Sequence, residues 1–301
     1  MKLSGSTLVD SVSKARFEIV SRRSGFERGT AVAYNELMPG VLQIFSLGGV
    51  RFVLDGRPFE AFRSRKVAAL LLLLAHNGRP LPRDVLATLL WGELPQERAR
   101  ANLRLALHDL RRHLDPFVLI GRHDAAINDE ADVRLDAHLL QESLASGKED
   151  IARLRRAVLG YEGEFLAGFH VRGARQFEDW ALAVREEIQT DVLDAYRTLV
   201  EYDLQRHAFR DGIAAARRWL ALDPLAEDGQ RLLMRMLAAS GQQAEALAQF
   251  EIARRILDEE LGVEPDELTA ELARESAAGQ WSIAETAATV VSAASHLPPD
   301  Q

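Results

Sequence analysis

Cysteine is absent from the 301 residues, which excludes disulfide scaffolds, thiolate metal sites and cysteine nucleophiles. Long apolar runs are missing too. The longest, VAALLLLLA at 67–75, falls well short of the roughly 20 residues a membrane helix needs and follows Arg63, Arg65 and Lys66, so it reads as a buried core helix. The amino terminus, MKLSGSTLVDSVSK, has polar and acidic residues where an export signal needs an apolar stretch. These absences point to the cytoplasm and away from membranes. Enzyme signatures are equally scarce. There is no H-E-x-x-H, G-x-S-x-G or G-x-G-x-x-G pattern, and no G-x-x-x-x-G-K-[ST] phosphate loop among these residues. His108 and His113 are five apart, a spacing that does not bring them together on a helix. The pairs Glu186-Glu187 and Glu259-Glu260 stand on acidic helical stretches where solvation explains them. The chain is therefore expected not to be an enzyme, with no catalytic residues, cofactor or metal.

The net charge of −8 hides an asymmetry. Residues 1–40 carry +2, residues 41–135 carry +3, and the remainder carries −13. A mildly basic front followed by an acidic rear fits a nucleic-acid-binding module joined to a regulatory or protein-binding one.

Patterning divides the chain accordingly. Residues 1–40 show no sustained periodicity and read as a flexible extension. From 41 on, VLQIFSL, VRFVL and RPFEAF alternate like short strands, separated by Gly48-Gly49 and Asp55-Gly56, and predict a small antiparallel sheet. Three helices follow, at 64–76, 83–91 and 97–114, punctuated by Asn77-Gly78, Pro82, Gly92 and Pro95. FVLIGRHDAAIN then reads as a hairpin, with DVRLD extending or closing its sheet. Three helices and a hairpin are the parts of a winged helix-turn-helix over 41–135. Beyond 136 the pattern is helical, and 191–224 and 225–258 are two units of thirty-four residues. Each reads as helix, turn, helix, the length and layout of a tetratricopeptide repeat. Superposing them pairs Leu199 with Leu233, Leu204 with Ala238, Ile213 with Leu247 and Ala214 with Ala248. Residues 136–275 form this all-α domain, its less regular 137–187 stretch an atypical repeat or capping layer, and 276–301 read as a flexible tail. The fold class is thus mainly α: a winged helix with a small amino-terminal sheet and wing, then helical repeats.

The segment ERARANLRLALHDLRRHL, 97–114, concentrates five arginines and two histidines. At roughly 100° per residue, Ala99, Leu103, Ala106, Leu107, Leu110 and Leu114 fall on one stripe that must face the core. Arg100, Arg104, His108 and Arg111 form a second stripe beside it. A solvated face explains such a stripe on an arbitrary helix, but the third helix of a winged unit is the one that enters the major groove. There an arginine fork binds guanine O6 and N7, while other arginines hold phosphates. Arg100, Arg104 and His108 are assigned to the groove, and Arg98, Arg111 and Arg112 to the backbone. Arg63, Arg65 and Lys66 oppose the dipole of the first helix, which fits either phosphate contact or capping of a neighbouring strand. Arg122 and His123 mark the wing tip, as a DNA contact or as an ordinary polar turn.

The stretch LGGVRFVLDGRPFEAFRSRKVAALLLLLAHNGRPLPRDVLATLLWGELPQERARANLRLALHDLRRHL resembles the DNA-binding half of the Streptomyces antibiotic regulatory protein family, whose winged helix is similar to that of response-regulator output domains. YEGEFLAGF, ALAVREEIQTDVLDAY and the run from ALDPLAEDGQ to GVEPDELT resemble the bacterial transcriptional activator domain that accompanies it. The resemblance covers about 41–275. It implies a transcriptional regulator, an activator that binds direct repeats of double-stranded DNA near a promoter and recruits RNA polymerase holoenzyme, with a homodimer as a further option. It also implies that ARANLRLALHDLRR is the recognition helix and that WGELPQ, with Gly92 and Glu93, faces polymerase subunits. The competing expectation is a tetratricopeptide interaction scaffold whose degenerate winged helix does not bind DNA.

Overall fold

A computed structural model describes residues 40–278. The expected extension over 1–40, apart from Gly40, and the tail beyond 278 lie outside the described residues. Close packing divides the described residues into two units, one comprising 40–142 together with 160–189, the other 143–159 together with 190–278. This division differs from a boundary at 135/136, because a segment well beyond the wing folds back onto the front sheet.

The first unit opens with β1 (Leu42–Phe45), β2 (Arg51–Leu54) and β3 (Arg57–Pro58). β1 and β2 are antiparallel with Leu42 opposite Leu54, and the turn into β3 places both Asp55 (φ 51°) and Gly56 (φ 75°) in the left-handed region, the geometry of a tight Asp-Gly hairpin. Helix α1 (Arg65–Asn77) buries its leucine run from Leu70 to Leu74 almost completely and stops at Gly78, whose φ of 63° closes its end. Helix α2 (Arg83–Trp91) and helix α3 (Gln96–Leu114) follow. The wing is β5 (Val118–Ile120) against β6 (Asp124–Ile127), and β6 also pairs with β4 (Leu81–Pro82), a strand from the α1–α2 connection. The element expected to extend the hairpin, β7 (Val133–Leu135), instead joins the front sheet, parallel to β1 with Leu42 opposite Val133, giving the order β3-β2-β1-β7. Asp136, the first residue of helix α4 (Asp136–Leu144), locks this arrangement: its carboxylate accepts from Ser46 N (2.8 Å), Ser46 Oγ (2.6 Å) and Leu47 N (3.0 Å). A half-buried carboxylate with that many donors holds β1 and the start of α4 together.

Residues 160–174 pack against the same sheet. Leu166 N donates to Ser46 O at 2.7 Å and Gly48 N to Glu164 O at 3.0 Å. Phe165, Phe177 and Trp180 are buried behind them in edge-on and tilted contacts. Phe177 and Trp180 stand on the long helix α6 (Arg175–Gln205), which passes from the first unit to the second at 189/190.

In the second unit, helix α5 (Ile151–Leu159) contributes the Val158 carbonyl to the Tyr196 hydroxyl at 3.2 Å and Arg155 to the buried Asp203 at 2.6 Å. The helices then come as pairs: the end of α6 with α7 (Phe209–Leu222), then α8 (Glu227–Ala239) with α9 (Gln243–Leu261), followed by α10 (Glu267–Ala277). The thirty-four-residue period recurs at several buried positions but not at every expected pair, since Leu204 and Leu247 are only half-buried where Ala238 and Ile213 are buried. Leu199 and Leu233 are both buried, and so are Trp219 and Ala253, and Gly212 and Ala246, each thirty-four apart. Ala214 and Ala248 also correspond, but both face solvent. At Gly212 a Cβ would stand 1.8 Å from Met236 Cε on α8, so a side chain there would require the methionine end to move. Asp266 caps α10 by accepting from Thr269 N at 2.7 Å.

Candidate nucleic-acid interface

The site is built on α3. Pro95 starts it with a compatible φ, Glu97 stands in the first turn, and Arg111, Arg112 and His113 end it, a charge order that complements the helix dipole. Ala99, Leu103, Ala106, Leu107, Leu110 and Leu114 are all buried, as their spacing predicts. The remaining length is open: Arg98, Arg100, Arg104, His108, Arg111 and Arg112 are all exposed.

The exposed face is nevertheless centred differently from the expected stripe. At roughly 100° per residue, the direction opposite the buried leucines runs through Ala101, Leu105, His108 and Arg112. Arg104 borders this row on one side and Arg98 on the other. Arg100 lies on the flank, where its Nε and Nη2 donate to the two carboxylate oxygens of Asp84 on α2 at 2.8 and 3.1 Å. These hydrogen bonds hold the Asp84 carboxyl below its ordinary pKa. Arg98, Arg104, His108, Arg111 and Arg112 make no ion pair with another described residue.

Three features of the site escaped sequence reasoning. Asp109 is buried within the helix, its carboxylate 3.5 Å from Arg63 Nε and 3.7 Å from His113 Nδ1. Asp84 has no pattern that marks it as a partner for Arg100, because the two meet only once α2 and α3 pack. Leu105 is 70% exposed, so apolar periodicity, which searches for buried stripes, passes over it.

The basic start of α1 is not one patch. Arg63 is exposed but engaged with Asp109. Arg65 is exposed, donates to His170 O at 3.2 Å, and lies over the Phe169 ring. Lys66 is turned inward: its Nζ donates to Leu90 O at 2.6 Å and to Gly173 O at 2.9 Å, over the Trp91 ring. Burial lowers its pKa, with nearby Glu93 acting in the opposite sense. The ammonium thereby satisfies the end of α2 and separates Lys66 from the outward cations. At the wing, Arg122 and His123 are the exposed central residues of the β5–β6 turn, where Gly121 N donates to Asp124 O at 3.1 Å. In the α2–α3 loop Gly92 and Glu93 are exposed, and a Cβ at Gly92 would stand 2.5 Å from the Thr88 carbonyl, a steric reason for glycine there. Among the described residues no group of three or more His, Asp or Glu is placed to hold a metal ion, and no helix is long and apolar enough to cross a membrane.

Residues 133–275, from β7 to α10, match the family described as bacterial transcriptional activator domain. The chain carries a bacterial transcriptional activator domain. The activator domain and the winged helix before it also align with regulatory proteins. The regulatory protein AfsR of Streptomyces coelicolor is 33% identical over 292 residues, covering 93% of this chain and 28% of AfsR. AfsR of Streptomyces griseus is 32% identical over 245 residues, covering 77% of this chain and 24% of that protein. The chain thus spans only about a quarter of the length of these relatives. Among solved structures, Mycobacterium tuberculosis EmbR, determined in complex with a low affinity phosphopeptide, superposes with a TM-score of 0.62 at 22% identity over 85% of this chain and 70% of EmbR. The shared fold is mainly helical with a small front sheet, and the relatives are a regulatory protein, AfsR, and a transcriptional regulatory protein, EmbR, in line with the resemblance to the Streptomyces antibiotic regulatory protein family.

Proposed function

We propose that the chain is a sequence-specific DNA-binding regulator that sets α3 into the major groove and activates transcription. The observation that carries this reading is the row of exposed side chains on α3, Arg98, Arg104, His108, Arg111 and Arg112, with no ion pair to another described residue, on a helix whose opposite face is locked into the core. Unpaired cations on a rigid element are what phosphates and guanine edges require. Arg63, Arg65 and Arg122 are exposed and supply further phosphate contacts, Arg63 while engaged with Asp109. Arg100 acts through Asp84, as a positioning group as much as a reader, and Lys66 serves the fold. In this reading 41–135 holds the DNA and 136–275 the activating surface. The protein binds direct repeats near a promoter, an arrangement that does not demand a symmetric dimer. Glu93, exposed in the α2–α3 loop, contacts RNA polymerase holoenzyme.

Titration of the chain against promoter duplexes at increasing salt tests the DNA grip. Six or more phosphate contacts predict a loss of about 10³-fold or more between about 50 and about 200 mM salt; binding indifferent to salt would exclude it and favour the scaffold. Transcription in vitro with purified polymerase holoenzyme tests activation. Glu93→Ala should keep DNA affinity and lose stimulation.

A further inference from the structure

Leu105 is placed where a solvated helix has no use for it. The other leucines of α3, Leu103, Leu107, Leu110 and Leu114, are 2% exposed or less, whereas Leu105 is 70% exposed. An isolated surface leucine is ordinary, but this one stands in the row opposite the buried stripe, four residues after the half-buried Ala101. It is bordered by the exposed side chains of Arg98, Arg104, His108 and Arg112. The outermost face of the helix is therefore an apolar centre with a polar rim to which Arg98, Arg104 and Arg112 bring positive charge.

Charge and apolarity in that order select a partner. The rim calls for an anionic surface, and the centre calls for an apolar feature lying within it. In the duplex major groove the C5 methyl of thymine is the apolar feature of the base edges. Arginine forks take guanine, and leucine has neither donor nor acceptor to offer any base. We propose that Leu105, with Ala101 beside it, packs against a thymine methyl and makes the protein require thymine at a position next to those read by the arginines. The inference rests on the DNA-binding reading above and adds to it the residue that specifies a base without a hydrogen bond.

The test uses the full chain and a duplex obtained by selection from a random pool. Each thymine of that duplex is replaced singly by deoxyuridine, which deletes only the methyl, and wild type, Leu105→Ala and Leu105→Ser are titrated by fluorescence anisotropy. Because Leu105 is 70% exposed, both variants should fold, which circular dichroism checks. One or two replacements should weaken wild-type binding by about fourfold each, the equivalent of ~0.8 kcal/mol for one buried methyl-sized group. The same replacements should leave both variants unchanged. Wild-type binding indifferent to every replacement, or losses of equal size in the variants, would overturn the inference while leaving DNA binding intact. Failure to retain any duplex above the nonspecific level would overturn both.

Discussion

Arg100 on α3 grips Asp84 on α2 through two nearly parallel hydrogen bonds, 2.8 Å from Nε and 3.1 Å from Nη2. The planar fork fits a carboxylate better than any other protein partner. The pair is exposed, so its effect on stability is small; its effect on the interface is larger. It places a negative charge on the same surface as the arginines and occupies one of them. Replacing Asp84 by alanine should leave the melting temperature unchanged while raising affinity for nonspecific duplex and steepening its salt dependence by about one unit of slope. Arg100→Ala should leave that slope close to wild type, because the arginine it removes is already neutralised. A slope unchanged in Asp84→Ala would show that α3 does not lie against phosphates at this end.

Arg63 and Asp109 make a second relationship with a different balance. Asp109 is 6% exposed and its second oxygen has no hydrogen-bond partner among the described residues. A buried carboxylate that loses its neighbouring cation is left poorly solvated. Arg63→Ala should destabilise the first unit by roughly 1–2 kcal/mol, between the exposed and buried limits. In an Asp109→Asn background the same change should have little effect, which a double-mutant cycle by urea unfolding measures. Equal losses in the two backgrounds would show that Arg63 acts through something other than Asp109.

How far the residues alone lead can be judged from α3 and its surroundings. Leucine spacing and the stops at Gly78, Pro82, Gly92 and Pro95 place all three helices to within a residue or two, because local pattern and local punctuation decide helices. β7 was not legible in the same way. Three residues carry too little alternation to choose a partner, and its pairing with β1 spans some ninety positions. Lys66 is the equivalent case at the interface: its inward turn depends on the Gly173 carbonyl, 107 residues away. Leu105 shows the converse, since periodicity finds apolar residues that face a core and has no term for one that faces a ligand.

Asp266 ties the stability of α10 to pH. Burial pushes its pKa up, but hydrogen bonds from Thr269 and Arg231 outweigh this and leave it below its ordinary value. A carboxyl with a depressed folded pKa stabilises fully above the ordinary carboxylate range, and that contribution disappears as pH falls through the range. Asparagine caps helices about as well as aspartate, whereas alanine loses about 1 kcal/mol of cap. Asp266→Asn should therefore keep the cap but lose the Arg231 charge pairing near neutrality, converging with wild type at low pH so that the acid limb flattens, and Asp266→Ala should lower stability at both. Chemical denaturation at several pH values reads the difference, and an acid limb as steep in Asp266→Asn as in wild type would assign the sensitivity to other carboxylates.

Gly48 decides whether the 160–174 segment can reach the front sheet. Its φ of 70° lies in the left-handed region, and a Cβ there would stand 2.9 Å from the Glu162 carbonyl oxygen. Opposite it, a Cβ on Gly163, at φ 144°, would meet Gly48 Cα at 3.2 Å. Two backbones are in contact without side chains between them, and this lets Gly48 N donate to Glu164 O and Leu47 pair with Phe165. Gly48→Ala adds left-handed strain of roughly 1–2 kcal/mol to a collision with main chain that no rotamer relieves, so about 2 kcal/mol or more should be lost. The loss should be local first. Hydrogen exchange should rise at Gly48 and Leu166, whose amides bond across the contact, before it rises in α1. Gly56, at φ 75° with open space around it, serves as the comparison: alanine there meets the same kind of left-handed strain alone. If Gly48→Ala and Gly56→Ala lose the same stability, the close approach of the segment contributes nothing beyond the turn itself.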